Sequence, residues 1–163
     1  PDKTQTMLGA AQWDWLAREL RKPAELRVIV SSLQVVAEGH GWEAWRILPA
    51  EREKLYGLIA KTRAKGVVFL SGDRHVAAIY RQPADVVPYP IYDFTSSSLN
   101  LAFLDSKYSD LPHPTRLTDT FRPENFGLMS VDWAGRSLTV EIKDKTGATV
   151  QTQTVPFAEI GVR

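Results

Sequence analysis

Two short apolar segments separated by a helix constrain the fold of this chain more than any other feature. Residues 26–30 and 67–70 are nearly all apolar and rich in β-branched side chains, which is typical of strands buried on both faces. Between them, residues 51–64 have acidic residues in the first turn and a stripe of leucine and isoleucine, which predicts a helix. The order strand, helix, strand predicts two parallel strands joined by a crossover connection, and therefore an α/β fold.

The last third of the chain follows a different pattern. Apolar and polar residues alternate over residues 129–133 and 138–142, and a turn at residues 145–147 leads into residues 149–155. Such alternation predicts strands with one face exposed to solvent, arranged as an antiparallel meander. Residues 100–125 contain three prolines and mixed charges, and they are predicted to be an irregular excursion over the surface.

Composition excludes several functional classes. The 163 residues are 44% hydrophobic, which is enough for one domain with its own core. Twenty basic and nineteen acidic residues leave a net charge of +1, and there is no basic stripe of the kind that nucleic-acid binding requires. The absence of cysteine excludes disulfides, thiolate zinc sites and cysteine nucleophiles. No apolar run approaches the roughly 18 residues needed for a membrane span.

The most informative motif is Gly72-Asp73-Arg74-His75, directly after the second apolar strand. Open α/β sheets bind ligands at the carboxyl ends of their strands, so this turn is a candidate site. A carboxylate oxygen from Asp73 and an imidazole nitrogen from His75 suit a divalent transition metal. Arg74 between them could clamp an anionic group such as phosphate. The alternative is structural, with Asp73 capping the turn and His75 hydrogen-bonded and half-buried.

A second candidate region is the glycine-rich loop 38–45, which follows the first strand. His40 either lines the same pocket and binds substrate or is an ordinary solvent-exposed loop histidine. Trp42 either forms an apolar wall for the organic part of a substrate or anchors the loop to the core.

Several segments, in order along the chain, together resemble one enzyme family. The segments are LGAAQWDWL at 8–16, VSSLQV at 30–35, FLSGDRH at 69–75, DFTSSSLN at 93–100 and NFGL at 125–128. They are similar to the PhoD-type alkaline phosphatases of the metallophosphatase (calcineurin-like phosphoesterase) superfamily. Several motifs at consistent spacing are far more specific than a single tetrapeptide.

The resemblance implies a fold, a metal centre and a set of site residues. Residues 1–163 would be the carboxyl-terminal half of a PhoD-like metallophosphatase domain, a four-layer αββα sandwich with a mixed sheet. The family holds a dinuclear centre of divalent or trivalent ions, here Fe, Ca, Zn, Mn or Mg. Residues 72–75 would be its last ligand loop, with His75 as a direct ligand and Arg74 beside it as a catalytic and substrate-binding group. Asp73 replaces a histidine of the superfamily pattern and either binds metal directly or holds His75 in place.

The implied activity is hydrolysis of phosphate monoesters or diesters by a metal-bridged hydroxide. Only seven residues precede Leu8, and the other ligands of the family are not found there. We therefore expect the isolated segment to bind metal weakly, to be inactive and to require the missing amino-terminal half. The resemblance also implies a periplasmic or secreted location.

The alternative function is a non-catalytic accessory or binding half that associates with a partner chain through its antiparallel sheet. In both interpretations, strands of half a sandwich would lack their cover on one face or edge. Such surfaces drive association, so we expect the segment alone to form a homo-oligomer or to aggregate.

Overall fold

The computed structural model describes residues 6–163 and contains two helices and seven strands in that range. The helices and strands, in chain order, are α1 (Ala10–Glu19), β1 (Arg27–Ser31), α2 (Pro49–Thr62), β2 (Val67–Ser71), β3 (Ala77–Gln82), β4 (Ile91–Ser96), β5 (Asn125–Asp132), β6 (Ser137–Asp144) and β7 (Thr149–Pro156). Short 3₁₀ helices span Trp45–Ile47 and Ser106–Tyr108. The long excursion between β4 and β5 is otherwise irregular, as its prolines predict.

The first four strands form one mixed sheet in the order β1-β2-β4-β3. β1, β2 and β4 are parallel, and β3 runs antiparallel to β4. Ile29 pairs with Phe69, and Leu70 pairs with Phe94. The parallel pairing of the two apolar strands across a helical connection is confirmed.

Helix α2 is bounded by residues whose backbone preferences suit those positions. Pro49 occupies the first turn, where its missing N–H costs no hydrogen bond. Leu55 and Ile59 bury the inner face. After the helix, Gly66 adopts a φ of +64°, and a β-carbon there would lie 2.0 Å from the carbonyl oxygen of Glu25. Only glycine fits this close approach, which lets the chain turn into β2.

The prediction that both apolar strands are buried on both faces is right for β2 and wrong for β1. Val67, Val68 and Phe69 of β2 are fully buried. In β1, by contrast, Val28 is 41% exposed and Val30 is 77% exposed. β1 lies at one edge of the sheet, with β2 as its one neighbouring strand. One face of β1 is therefore exposed at the end of the mixed sheet.

The last three strands form the predicted antiparallel meander, in the order β5-β6-β7. β6 is central, and its apolar side chains Leu138, Val140 and Ile142 are buried at alternate positions. Much of β5 and β7 faces solvent. The fold is thus α/β, with a mixed sheet and a separate three-stranded sheet. Within residues 6–163, neither helix is long and apolar enough to cross a bilayer.

Candidate functional site

The candidate site lies at the carboxyl edge of the mixed sheet, which is the edge formed by the carboxyl ends of its parallel strands. Because β1, β2 and β4 are parallel, the loops that follow them leave the sheet at the same edge. These loops carry His40 and Trp42 after β1, and Asp73, Arg74 and His75 after β2. The topology therefore brings the two candidate regions of the sequence to one edge.

The turn after β2 has an unusual backbone. Asp73 has a φ of 68° and His75 a φ of 54°, so two non-glycine residues adopt the left-handed conformation on either side of Arg74. Such conformations cost energy and persist only where surrounding contacts hold them. The contacts include a hydrogen bond from the backbone N–H of His75 to Ser97 Oγ at 3.0 Å. Strained turns of this kind concentrate at functional sites.

The His75 ring is half-buried, and its environment selects one tautomer. Nδ1 lies 3.0 Å from the carbonyl oxygen of Leu101, and the ring stacks on Phe103 with centroids 4.4 Å apart. Because a carbonyl oxygen only accepts, Nδ1 carries the proton, and in the neutral ring Nε2 then carries the lone pair. Nε2 makes no hydrogen bond within residues 6–163. A backbone carbonyl that orients a histidine through Nδ1 while Nε2 stays free is the usual arrangement of a metal-ligating histidine.

The Asp73 carboxylate is exposed and makes no hydrogen bond or ion pair to another residue in the described range. The capping role that the structural alternative assigns to Asp73 is therefore not what this turn shows. Within residues 6–163 there is no group of three or more histidine, cysteine or acidic side chains that could hold a metal ion. His75 and Asp73 fit as individual ligands, and they do not by themselves make a complete metal site.

The Arg74 side chain is directed into the protein. Its Nη2 atom lies 2.6 Å from Asp110 Oδ1 and donates to the carbonyl oxygen of Tyr108 at 3.1 Å. Both charged side chains are buried, with 4% and 0% of their area exposed. The hydroxyl of Tyr80 donates to the other oxygen of Asp110, and burial together with the Asp110 charge raises the Tyr80 pKa well above its usual value. The anion-binding role of Arg74 stays a prediction.

Both ring nitrogens of His40 are bonded inside the protein. Nδ1 accepts from the backbone N–H of Trp42 at 3.1 Å, and Nε2 donates to Gln34 Oε1 at 2.8 Å. Burial lowers the pKa of His40 to about 4, and the Arg74 charge acts in the same direction. His40 is therefore neutral at physiological pH. Its role as a substrate-binding residue stays a prediction.

Trp42 is 46% exposed and begins a row of aromatic rings that ends at His75. The centroid distances are 5.8 Å from Trp42 to Tyr108, 4.5 Å from Tyr108 to Phe103 and 4.4 Å from Phe103 to His75. We call these four residues the aromatic row. It connects the loop after β1 to the turn after β2, and its Trp42, Tyr108 and Phe103 rings place an apolar surface beside the candidate metal ligand His75.

A buried acidic residue under this edge was missed by reasoning from the sequence. Asp93 in β4 is fully buried and accepts hydrogen bonds from the N–H groups of Val35 and Val36, at 2.7 and 3.0 Å. It also accepts from Ser71 Oγ at 2.6 Å. Burial raises the pKa of Asp93. A carboxylate inside an otherwise apolar strand is the signal that could have revealed it, because such a group needs partners.

Comparison with known proteins decides the family. The family model described as PhoD-like phosphatase matches residues 1–141. The chain belongs to the PhoD-like phosphatase family. No curated protein matches the chain.

A solved structure entitled "Structure of PhoD" shares the fold with this PhoD-like chain, at a TM-score of 0.57 and 19% sequence identity. The match covers 94% of this chain and 37% of the PhoD chain. The present chain therefore spans little more than a third of the length of that relative. The family resemblance and the mixed α/β architecture expected from the sequence are both confirmed.

Proposed function

We propose that this chain is the carboxyl-terminal part of a metal-dependent phosphoesterase, and that it contributes the last metal-ligand loop. The substrates are phosphate monoesters, diesters or both. The observation that supports this proposal is the state of His75, whose Nδ1 is held by the Leu101 carbonyl while Nε2 is left free at the ligand-binding edge of the sheet. Membership of the PhoD-like phosphatase family supports a hydrolase.

The residues of this chain have distinct roles in the proposed reaction. His75, and with it Asp73, would hold one ion of a dinuclear centre of Fe, Ca, Zn, Mn or Mg. When bound, such a centre supplies the attacking hydroxide and offsets the charge that develops on the phosphoryl group. The aromatic row would pack against the organic part of the ester and keep water from it. No cysteine nucleophile is needed.

The remaining ligands, in this proposal, come from the rest of a four-layer αββα sandwich. The β1 edge is open, and beside it lies a cavity of about 560 Å³ lined by α1, β1 and Phe69. Val28, Val30 and Trp15 are exposed here. The occupant we propose for this surface is the other part of the PhoD-like fold, because the PhoD chain has nearly two thirds of its length outside the match. Without it, the chain is expected to bind catalytic metal weakly, to be inactive and to self-associate.

A pair of histidine substitutions tests the role of His75. His75→Ala in the complete phosphatase is expected to reduce turnover of phosphate esters by orders of magnitude, because a metal ligand is lost. His113→Ala is the matched control, since His113 is an exposed histidine whose side chain bonds only the neighbouring Thr115 within the described range. Near-normal turnover of His75→Ala would contradict the proposal.

A second experiment uses the 163-residue chain itself and does not depend on activity. Paramagnetic Mn²⁺ is titrated into the protein, and the ring signals of the three histidines are followed by NMR. Even weak binding is expected to broaden the His75 ring signals first. Equal broadening of the His75 and His113 signals would argue against a ligand role for His75.

The second candidate function is a non-catalytic half that associates with a partner chain. The exposed β1 edge and the solvent-facing β5 and β7 strands favour an interaction surface. The two candidates differ in what the rest of the polypeptide must contain. A complete polypeptide without metal-binding carboxylates upstream of this segment would favour the accessory function. PhoD-like proteins are typically exported, and we propose a periplasmic or secreted location for this one.

A further inference from the structure

The buried ion pair between Arg74 and Asp110 connects the turn after β2 to the segment 101–110. The pair is close, at 2.6 Å, and almost wholly excluded from solvent. The same Arg74 atom also donates to the carbonyl oxygen of Tyr108. The far end of the segment is therefore attached to residue 74, in the middle of the strained turn.

The near end of the same segment is attached to the next residue of the turn. The Leu101 carbonyl accepts from Nδ1 of His75, and the backbone N–H of Phe103 donates to the His75 carbonyl oxygen at 3.3 Å. The Phe103 ring stacks on the imidazole. Adjacent residues, Arg74 and His75, thus hold the two ends of one segment.

Burial of apolar side chains does little to hold this segment in place. Leu101 is 50% exposed and Leu104 is 63% exposed. The segment contains no regular structure except the 3₁₀ helix Ser106–Tyr108. The position of the Leu101 carbonyl therefore depends on the hydrogen bonds and on the ion pair at the two ends.

Asp110 is itself fixed by groups outside the turn. Its carboxylate accepts from the hydroxyl of Tyr80 on β3, and its backbone N–H donates to Thr120 Oγ1 at 3.0 Å. Its carbonyl oxygen accepts from Arg116. These contacts fix Asp110 relative to the sheet, so the ion pair holds the Arg74 side chain at a defined position.

We propose that Asp110, acting through Arg74, is a positioning residue for His75. The ion pair holds segment 101–110 so that the Leu101 carbonyl stays against Nδ1, and it thereby keeps the proton on Nδ1 and the lone pair on Nε2. Metal binding by this lone pair rests on the proposed function. The positioning is a property of the chain without metal.

The tautomer of His75 is the direct test, measured by long-range ¹H–¹⁵N NMR of the wild-type chain and of variants. The variant of choice is Arg74→Met with Asp110→Asn, because it removes both charges together and leaves an amide oxygen to accept from Tyr80. Removing one charge alone would leave the other buried and unpaired, which is strongly destabilising. The matched control is Arg81→Met with Glu159→Gln, which removes the ion pair at 3.1 Å between β3 and the carboxyl terminus.

The wild-type chain and the control are expected to show a single His75 form with the proton on Nδ1. In the paired variant we expect a second population with the proton on Nε2, while circular dichroism shows an unchanged fold. A folded paired variant that keeps the single Nδ1–H form overturns the proposal, as does a wild-type chain with the proton on Nε2.

If the paired variant does not fold, Arg74→Lys provides the test, because it keeps the charge on Asp110 balanced and loses the guanidinium geometry. A partial shift of the proton to Nε2 is then expected, and an unaltered His75 signal overturns the proposal. The proposed function has a separate test. If Mn²⁺ does not preferentially broaden the His75 ring signals in a chain that keeps the Nδ1–H form, metal binding by His75 is contradicted. The positioning role of Asp110 is not affected by that result.

Discussion

Replacement of Asp93 tests whether its carboxylate holds the chain after β1 in place through hydrogen bonds. Asp93 accepts two buried backbone N–H groups from Val35 and Val36, which precede the loop that carries His40 and Trp42. In Asp93→Ala both N–H groups lose their partner. Each buried unsatisfied donor costs about 1–3 kcal/mol, so the free energy of unfolding should fall by about 2–6 kcal/mol. That is a large part of the stability of an ordinary domain.

Asp93→Asn is the matched control, because its amide oxygen can still accept from both N–H groups. Its amide N–H₂ can donate to Ser71 Oγ, which also lies 2.8 Å from Thr95 Oγ1 and can turn its own proton there. Burial raises the pKa of Asp93 and so disfavours its charged form, and the neutral amide avoids that cost. We expect Asp93→Asn to lose no more than about 1–2 kcal/mol.

Urea unfolding followed by circular dichroism measures both variants. With a dependence on urea of about 2 kcal/mol per molar, the alanine variant should shift the midpoint down by roughly 1–3 M. Equal and small shifts for alanine and asparagine would refute the reasoning, because they would mean that the two N–H groups do not depend on the carboxylate. Signals of the Trp42 side chain should change in the alanine variant and stay in place in the asparagine variant.

Three further predictions concern pH, the sheet edge and a turn. The pKa of His40 is about 4 in the folded chain, which is lower than in the unfolded chain. The free energy of unfolding should therefore decrease as the pH falls from about 6.5 towards 4. Urea midpoints at several pH values should show a smaller decrease for His40→Gln than for the wild-type chain. Val30→Lys should reduce self-association, measured by sedimentation velocity, with little effect on stability, because Val30 is exposed on an edge strand. A wild-type chain that stays monomeric would contradict the expected self-association. Gly66→Ala should lower the free energy of unfolding by more than about 1 kcal/mol, because its β-carbon would meet the carbonyl oxygen of Glu25. Thermal unfolding should show a smaller loss of stability for Gly147→Ala, because residue 147 has open space around it.

The parallel strand pair could be predicted because it depends on local composition and on order along the chain. Residues 67–70 are apolar without interruption, and a strand with that pattern is stable only when both of its faces are covered. The same reasoning was wrong for β1, whose sequence is nearly as apolar. Burial of a strand depends on its place in the sheet, and that place is set by partners distant in the chain.

The candidate site was predictable in part. The turn at residues 72–75 follows a recognisable strand, so its position at the carboxyl edge of the sheet could be derived. Phe103 and Asp110 could not be found in this way, because they lie in an irregular excursion whose path no periodicity describes. Their contacts with His75 and Arg74 join residues 28 and 36 positions apart.

The amino-acid sequence alone determined the alternation of strands and helices, the α/β class, the antiparallel meander and the position of the candidate turn at residues 72–75. These follow from side-chain periodicity and turn preferences, which act over a few residues. Tertiary structure alone decided which strand is left at the edge, which tautomer His75 adopts and where the Arg74 charge is neutralised. Each of these depends on a carbonyl, a carboxylate or a neighbouring strand that only the folded chain brings into contact.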